Sequence, residues 1–446
     1  MPSSIKSIGL FLSLIAFGCS SGSQSTETEE PSSSTSKTET ASSDQSKTDK
    51  VTQKLLQNAR KFLHSNQPHH AVELVSQAIA INPECAEAHA LRAKAYTQSG
   101  RMADALADFS SAIRLQPTNP RFHNARGTFL MSRLDFESAF NDLNKAIELD
   151  ENYAEPFNNR GLLLISKGKF EEAIQDLTKA LKISPNYLDA LNNRGFAYMK
   201  MGKNNEAVAD FDHALKYNID YVNPYNNRGL VYLQMEKYVK AAADFGEAIK
   251  REPNNPKYYE HRLIAWRLLG NHKRAEQDAK KLFVFNRLAQ LNRGIFSSPR
   301  RPESWLARAR FYFRQDNPKA ARRDIQQALA LDSNFADAFV LRAEIHVAKD
   351  NWLKAEKDAT RAIQFAPSDK AYSIRGDVHF HNGNYERAIK DFEHARRFDT
   401  TVALAYFRYA QKLKAKGKIA KAENARQRAL AIDPQVANAP TKANGN

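Results

Sequence analysis

The sequence predicts an all-α chain, an α-solenoid of helical hairpins stacked one on the next, and three observations carry that reading. Between Ala154 and Pro253 one phrase is written three times with a strict 34-residue period: Phe157-Asn158-Asn159-Arg160-Gly161, Leu191-Asn192-Asn193-Arg194-Gly195 and Tyr225-Asn226-Asn227-Arg228-Gly229. A second apolar block follows each phrase with Ala at fixed distances, at Ala173 and Ala180, Ala207 and Ala214, Ala241 and Ala248. Within each period the apolar and small residues recur at helical spacing in two runs, parted by Gly168, Gly202 or Glu236. One period is therefore a helix, a turn and a second helix. Neither helix can bury its stripe alone, so neighbouring hairpins must share a core.

Counted from Ala154 as position one, the pattern runs through eleven repeats, with Ala at the twentieth position of each: Ala71, Ala105, Ala139, Ala173, Ala207, Ala241, Ala275, Ala321, Ala355, Ala388 and Ala422. The twenty-seventh position is Ala in ten of them and Leu282 in the other. The eighth is often Gly, as at Gly127, Gly161, Gly195, Gly229 and Gly376. Small residues there let two helix backbones come close. Pro83, Pro117, Pro185, Pro253, Pro367 and Pro434 close many repeats, where a Pro stops the second helix.

On these residues the chain resembles tetratricopeptide repeat proteins over nearly all of Lys50 to Pro434. The resemblance implies a right-handed superhelix whose first helices line a concave groove, and a role in holding a peptide or partner protein in that groove.

The expected organisation is a signal over 1–18, a lipidated Cys and disordered linker over 19–50, and seven repeats over 51–291 with the last helix extended. An inserted loop or hinge follows over 292–301, then four repeats over 302–434 and a tail over 435–446. Lys6 precedes an apolar run from Ile8 to Phe17, too short for a mature membrane span. The run ends in Ala16-Phe17-Gly18-Cys19, which resembles a bacterial lipobox. That likeness implies a diacylglycerol on Cys19, a permanent anchor once several acyl chains are buried, and Ser20 after it resembles outer-membrane sorting in a diderm. Ala16 stands where Leu is usual, so ordinary signal peptidase cleavage and a soluble exported protein stay open. Ser20 to Lys50 is rich in Ser, Thr and Glu without an aromatic residue, and cannot recover its ordering entropy by burial.

The formal net charge is +16. Residues 20 to 50 hold six acids against three bases, and Lys6 is the one charge before them, so residues 51 to 446 carry +18. Such a balance favours anionic surfaces. The basic residues crowd at the seventh repeat, whose successor begins twelve residues late, at Pro302. A helical stripe from Ala275 to Leu291 extends its second helix, which Gly294 and Pro299 should end. Arg287, Arg293, Arg300, Arg301 and Arg310 lie at this junction with Arg308, Arg314, Arg322 and Arg323. They read either as a solvated charged face or as a dock for an acidic protein, polymer or headgroup, such as an anionic envelope component.

Two polar patterns recur inside the repeats. Arg at the seventh position is matched by Asp sixteen residues later: Arg92 with Asp108, Arg126 with Asp142, Arg160 with Asp176, Arg194 with Asp210, Arg228 with Asp244, Arg262 with Asp278, Arg308 with Asp324, Arg342 with Asp358 and Arg375 with Asp391. The first and last repeats lose both partners together, as Asn58 with Leu74 and Tyr409 with Ala425. Joint presence and absence point to a bidentate bridge, against the alternative of a ligand-binding Arg row. Asn159, Asn193 and Asn227 at the sixth position resemble the asparagine ladder in the repeats of the glycosyltransferase that adds N-acetylglucosamine to Ser and Thr. That likeness implies amides gripping a peptide backbone. Asn124, Asn158, Asn192 and Asn226 stand one residue earlier. Hydrogen bonding between helices is the competing account of both sets.

No catalytic constellation, phosphate loop or nucleophile elbow appears, so neither enzyme activity nor a cofactor is expected. His69-His70, the spaced pair His379 and His381, and Cys85 do not make a metal or catalytic site. Arg375-Gly376-Asp377 spells an adhesion tripeptide whose residues all belong to the repeat pattern. The reading is a membrane-tethered interaction scaffold of the bacterial envelope with a protein or peptide partner. The alternative is a soluble exported repeat protein, or a non-catalytic subunit of an envelope enzyme or assembly. Export argues against nucleic acid, whose signature is steep salt dependence.

Overall fold

A computed structural model describes residues 42–438, so Cys19, the stretch read as a signal and most of that read as a linker lie outside the described residues. These fold into 22 α-helices and one short 3-10 turn, with no strand among the described residues. The chain divides into two compact bodies, the first reaching Ala279 and the second starting at Lys280.

The first body pairs α1 (Ser42–His64) with α2 (Pro68–Ile81), α3 (Ala86–Gln98) with α4 (Met102–Leu115), and α5 (Pro120–Ser132) with α6 (Phe136–Leu149). It continues with α7 (Ala154–Ser166) and α8 (Phe170–Ile183), α9 (Leu188–Lys200) and α10 (Asn204–Tyr217), α11 (Val222–Gln234) and α12 (Tyr238–Arg251), then α13 (Pro256–Leu268). Helix α14 (His272–Ser297) runs across the division. The second body pairs α15 (Pro302–Arg314) with α16 (Pro318–Leu331), α17 (Ala336–Val347) with α18 (Trp352–Phe365), α19 (Asp369–His381) with α20 (Tyr385–His394), and α21 (Thr400–Ala415) with α22 (Ile419–Ile432).

The twentieth-position alanines are buried throughout, and the eighth-position glycines lie against bulky residues of their own second helix. A Cβ on Gly195 would come within 2.7 Å of Phe211, and one on Gly161 within 2.8 Å of Leu177, so the ring or isobutyl group occupies the space the glycine leaves. In two repeats a larger eighth residue is matched by Ala sixteen residues on, as Leu263 with Ala279 and Ala343 with Ala359, whereas Ala93 and Ala309 keep Phe109 and Ile325 there. The turn between the two helices needs a left-handed residue at the fifteenth position, supplied by Gly168 and Gly202 at φ 74° but by Leu134 and Glu236 at φ 63° and 57°. Pro83, Pro117 and their equivalents follow the second helices by two residues, as Ile81 and Leu115 end them.

Two boundaries differ from expectation. Helix α1 starts at Ser42, within the stretch read as linker. Ser42 to Lys50 holds no Pro or Gly, so once the first repeat nucleates a helix, extending it backward adds a hydrogen bond for each residue fixed. Helix α14 runs for 26 residues to Ser297 without ending at Gly294, so most of the stretch 292–301 read as a loop is helical. An interior Gly costs a helix only about 1 kcal/mol, and burial of Ile295 just beyond it favours continuation.

Each first helix of the first body packs on the first helix of the next repeat, from α1 to α3 through to α13, whereas second helices make no comparable contact with one another. In the second body α15, α17 and α19 are related in the same way. Within each body the first helices therefore lie on the inner side of the stack.

Candidate functional site

All nine Arg and Asp pairs meet, each with Arg Nε donating to one carboxylate oxygen and Nη2 to the other at 2.6 to 2.9 Å. This is the parallel fork geometry that only a guanidinium supplies. The carboxylates are buried and the guanidinium groups half-buried. Hydrogen bonding to Asp142 holds the Arg126 guanidinium above its ordinary range. Burial pushes the Asp142 carboxyl up, but the bonds from Arg126 and His123 more than offset it and leave it below the usual carboxylate range. At Asp244 burial wins against Arg228, with the carboxylates of Asp212 and Glu247 adding to the upward push. The fork geometry is the same in both.

The third guanidinium nitrogen reaches sixteen residues back, to the second helix of the preceding repeat. Arg92 Nη1 donates to Ser76 at 3.3 Å, Arg126 to Ser110 at 3.2 Å, Arg160 to Asn144 at 2.7 Å, Arg194 to Thr178 at 3.2 Å and Arg308 to Asn292 at 2.7 Å. Arg228 reaches Asp212 in the same way. Gly246 and Ala359 stand at the matching places before Arg262 and Arg375 and offer no acceptor. The Arg row thus ties every one of these nine repeats to itself, and six of them to the predecessor as well. Sequence reading found the forward half alone.

The asparagines are also tied between repeats. Asn159 Nδ2 donates to Asn124 Oδ1 at 2.9 Å, Asn193 to Asn158 at 3.0 Å and Asn227 to Asn192 at 2.9 Å. His261 Nδ1 continues the series by donating to Asn226 Oδ1 at 2.8 Å. The fifth-position amides donate onward, Asn124 to the Tyr153 hydroxyl at 3.2 Å and Asn158 to that of Tyr187 at 3.4 Å. Asn124, Asn158 and Asn192 are buried. These amides seam neighbouring first helices together, and a peptide backbone would have to compete for groups already paired.

Arg375, Gly376 and Asp377 are likewise occupied, by Asp391, by the Phe392 ring and by Arg397. His379 lies buried 3.6 Å from Asp391, while His381 stacks on Trp352 at 4.0 Å. Among the described residues no group of three or more His, Cys, Asp or Glu could hold a metal ion.

The basic junction separates into two sets. Arg310 pairs with Asp337 at 2.9 Å, and Arg300 and Arg301 lie exposed in the turn before α15. Arg287 and Arg293 instead project from α14 into an open groove that α15 completes with Phe311 and Arg314.

Tetratricopeptide repeat models match residues 56–120 and 306–370, 143–175, 222–255 and 369–397, and a TPR repeat model matches 161–202 and 197–236. The chain belongs to the tetratricopeptide repeat proteins. A search of curated proteins finds no match. Among solved structures, one titled for functional characterization of Pseudomonas aeruginosa pilF is 20% identical with a TM-score of 0.41, covering 45% of this chain and 91% of that one. YrrB, described as a TPR protein with an unusual peptide-binding site, is 20% identical with a TM-score of 0.35 over 42% of this chain and 97% of its own. A tetratricopeptide repeat protein from Parabacteroides merdae is 21% identical with a TM-score of 0.32 over 62% and 99%. In this tetratricopeptide array the repeat-defining polar residues are consumed by the scaffold.

Proposed function

We infer that this protein is a non-enzymatic interaction scaffold of the bacterial cell envelope, holding a peptide or partner protein along the face formed by its first helices. The observation that carries the reading is the unbroken packing of first helix on first helix in the first body, which makes one continuous surface with a repeated step. A surface of that kind suits an extended ligand contacted at several repeats in turn. The reading includes attachment to the membrane through a lipid on Cys19, to the outer membrane in a diderm, supported by Lys6, the apolar run and Ala16-Phe17-Gly18-Cys19. No helix among the described residues is long and apolar enough to cross a membrane.

A photo-crosslinking residue at Lys200, exposed on first helix α9, should capture a partner in native envelopes. The same residue at Gln175, exposed on second helix α8, should not. Equal capture at both would remove the first-helix face from the account. Cys19→Ser should move the protein from the membrane to the soluble fraction, and continued sedimentation with membranes would remove the lipid anchor.

A further inference from the structure

The lengthened helix α14 creates a surface that no other repeat has. Past Leu282 it carries Phe283, Arg287, Gln290 and Arg293, spaced to fall along one stripe, and the last turn of α15 faces them with Phe311 and Arg314. Together they line an open groove of about 670 Å3, held entirely within the second body.

Its charge is unbalanced. Three guanidinium groups line the groove and no carboxylate does. The other two arginines on the same helix α15 are matched to acids, Arg308 to Asp324 and Arg310 to Asp337. Here no Asp or Glu occurs from Ala279 to Pro302. Arg293 and Arg314 hold no ion-pair partner among the described residues. Arg287 donates to Gln290 Oε1 at 2.6 Å, which fixes its direction and leaves its other N–H groups open. Gathered like charges without a counter-ion raise the energy of the empty groove, and an anionic ligand relieves that repulsion.

The groove is also apolar. Phe283 is 66% exposed beside the unpaired arginines, and Phe311 forms the opposite wall. A chain of phosphates has nothing to cover a phenyl ring, whereas a peptide can place a side chain on it and carboxylates on the arginines. The Gln290 amide can bond to a peptide unit as well. We propose that this groove is a second binding site, for an acidic peptide segment that carries a bulky apolar residue among its carboxylates. It rests on residues apart from the first-helix face of the first body, so loss of the Lys200 crosslink would leave it standing.

The test uses the purified full chain and a labelled Glu- and Asp-rich peptide with one central Phe, followed by fluorescence anisotropy. A second peptide replaces the Phe by Ser, and inorganic polyphosphate serves as competitor. The Phe peptide should bind more tightly than the Ser peptide by about fivefold, a difference of about 1 kcal/mol expected for one covered aromatic contact. Arg287→Gln with Arg314→Gln should weaken it by about tenfold or more. The charge-matched control, Arg322→Gln with Arg323→Gln on exposed positions of α16, should change it by less than about twofold. Phe283→Ser, at an exposed position the fold does not need, should erase the preference between the two peptides. Absence of binding, equal binding of both peptides and polyphosphate, or equal loss from the two double variants would each overturn the proposal.

Discussion

Removing one carboxylate from the Arg and Asp series tests whether those bridges hold the array together. Asp176 accepts from Arg160 Nε and Nη2 at 2.7 Å each, with its side chain 8% exposed and that of Arg160 19% exposed. Asp176→Ala strands the guanidinium between α7 and α8. Stranding a buried charge costs about 3 to 5 kcal/mol, and the part of Arg160 that still meets water trims this to about 3 kcal/mol. Replacing both partners, as Arg160→Met with Asp176→Leu, removes the charge together with its counter-ion. The double variant should lose only about 1 kcal/mol, for the bond from Arg160 to Asn144. Because a repeat array need not unfold in one step, urea titration followed by circular dichroism should be paired with hydrogen exchange resolved to α7 and α8. A loss below about 1 kcal/mol in Asp176→Ala, or a double variant as unstable as the single one, would refute the reasoning.

Three further outcomes follow from the same geometry. Leu134 and Glu236 hold the left-handed turn that glycine fills elsewhere, so Leu134→Gly and Glu236→Gly should each stabilise by about 1 kcal/mol, read as a raised denaturation midpoint. Gly246 leaves Arg262 Nη1 without the backward acceptor, and a Cβ there would sit at an ordinary 3.7 Å from that nitrogen. Gly246→Ser should add that hydrogen bond and remove a helical glycine, raising stability by about 1 to 2 kcal/mol in chemical denaturation. Burial, helped by Lys257, pushes His261 from 6.5 down to about 4. Between those values the unfolded chain binds more protons than the folded one. The stability His261 contributes is therefore full above about pH 6.5 and is lost by about 3 kcal/mol as pH falls to 4. Denaturation midpoints of His261→Asn, followed from pH 7 to 4, should lack that part of the slope.

What the sequence made legible is what recurs in phase. The twentieth-position Ala and the eighth-position Gly identify the two contact points of the hairpin, and the sixteen-residue offset from Arg to Asp lies inside one repeat. The bonds between repeats escaped because they are out of phase. Asn159 bonds to Asn124 across 35 residues, one more than the period, so an in-register alignment sets Asn159 beneath Ala125 instead. The signal was nonetheless present. Wherever Asn stands fifth, the next repeat has an amide or imidazole sixth, as Asn158 with Asn193, Asn192 with Asn227 and Asn226 with His261. Gly294 misled for the opposite reason, since a local preference worth about 1 kcal/mol was set against burial of Ile295, which only the packed structure displays.

The Arg offsets bear on why the repeat arginines and the proposed acidic-peptide groove draw on different residues. In six repeats the seventh-position Arg lies midway between two second helices, reaching Asp sixteen residues ahead and a short polar residue sixteen behind, as Arg160 does, so its five N–H groups are divided between them. An Arg in that place has little left to offer a ligand. Arg287 and Arg293 stand on the lengthened part of α14 and meet no such partners, and Arg314, the thirteenth residue of its repeat, ends α15 facing them. The twelve-residue lengthening therefore does more than interrupt the array: it places cations where the repeat supplies no acid to neutralise them. If α14 were shortened by those twelve residues and acidic-peptide binding persisted unchanged, cations inside the repeats would have to be doing the binding, and the division between structural and ligand-facing arginines would fail.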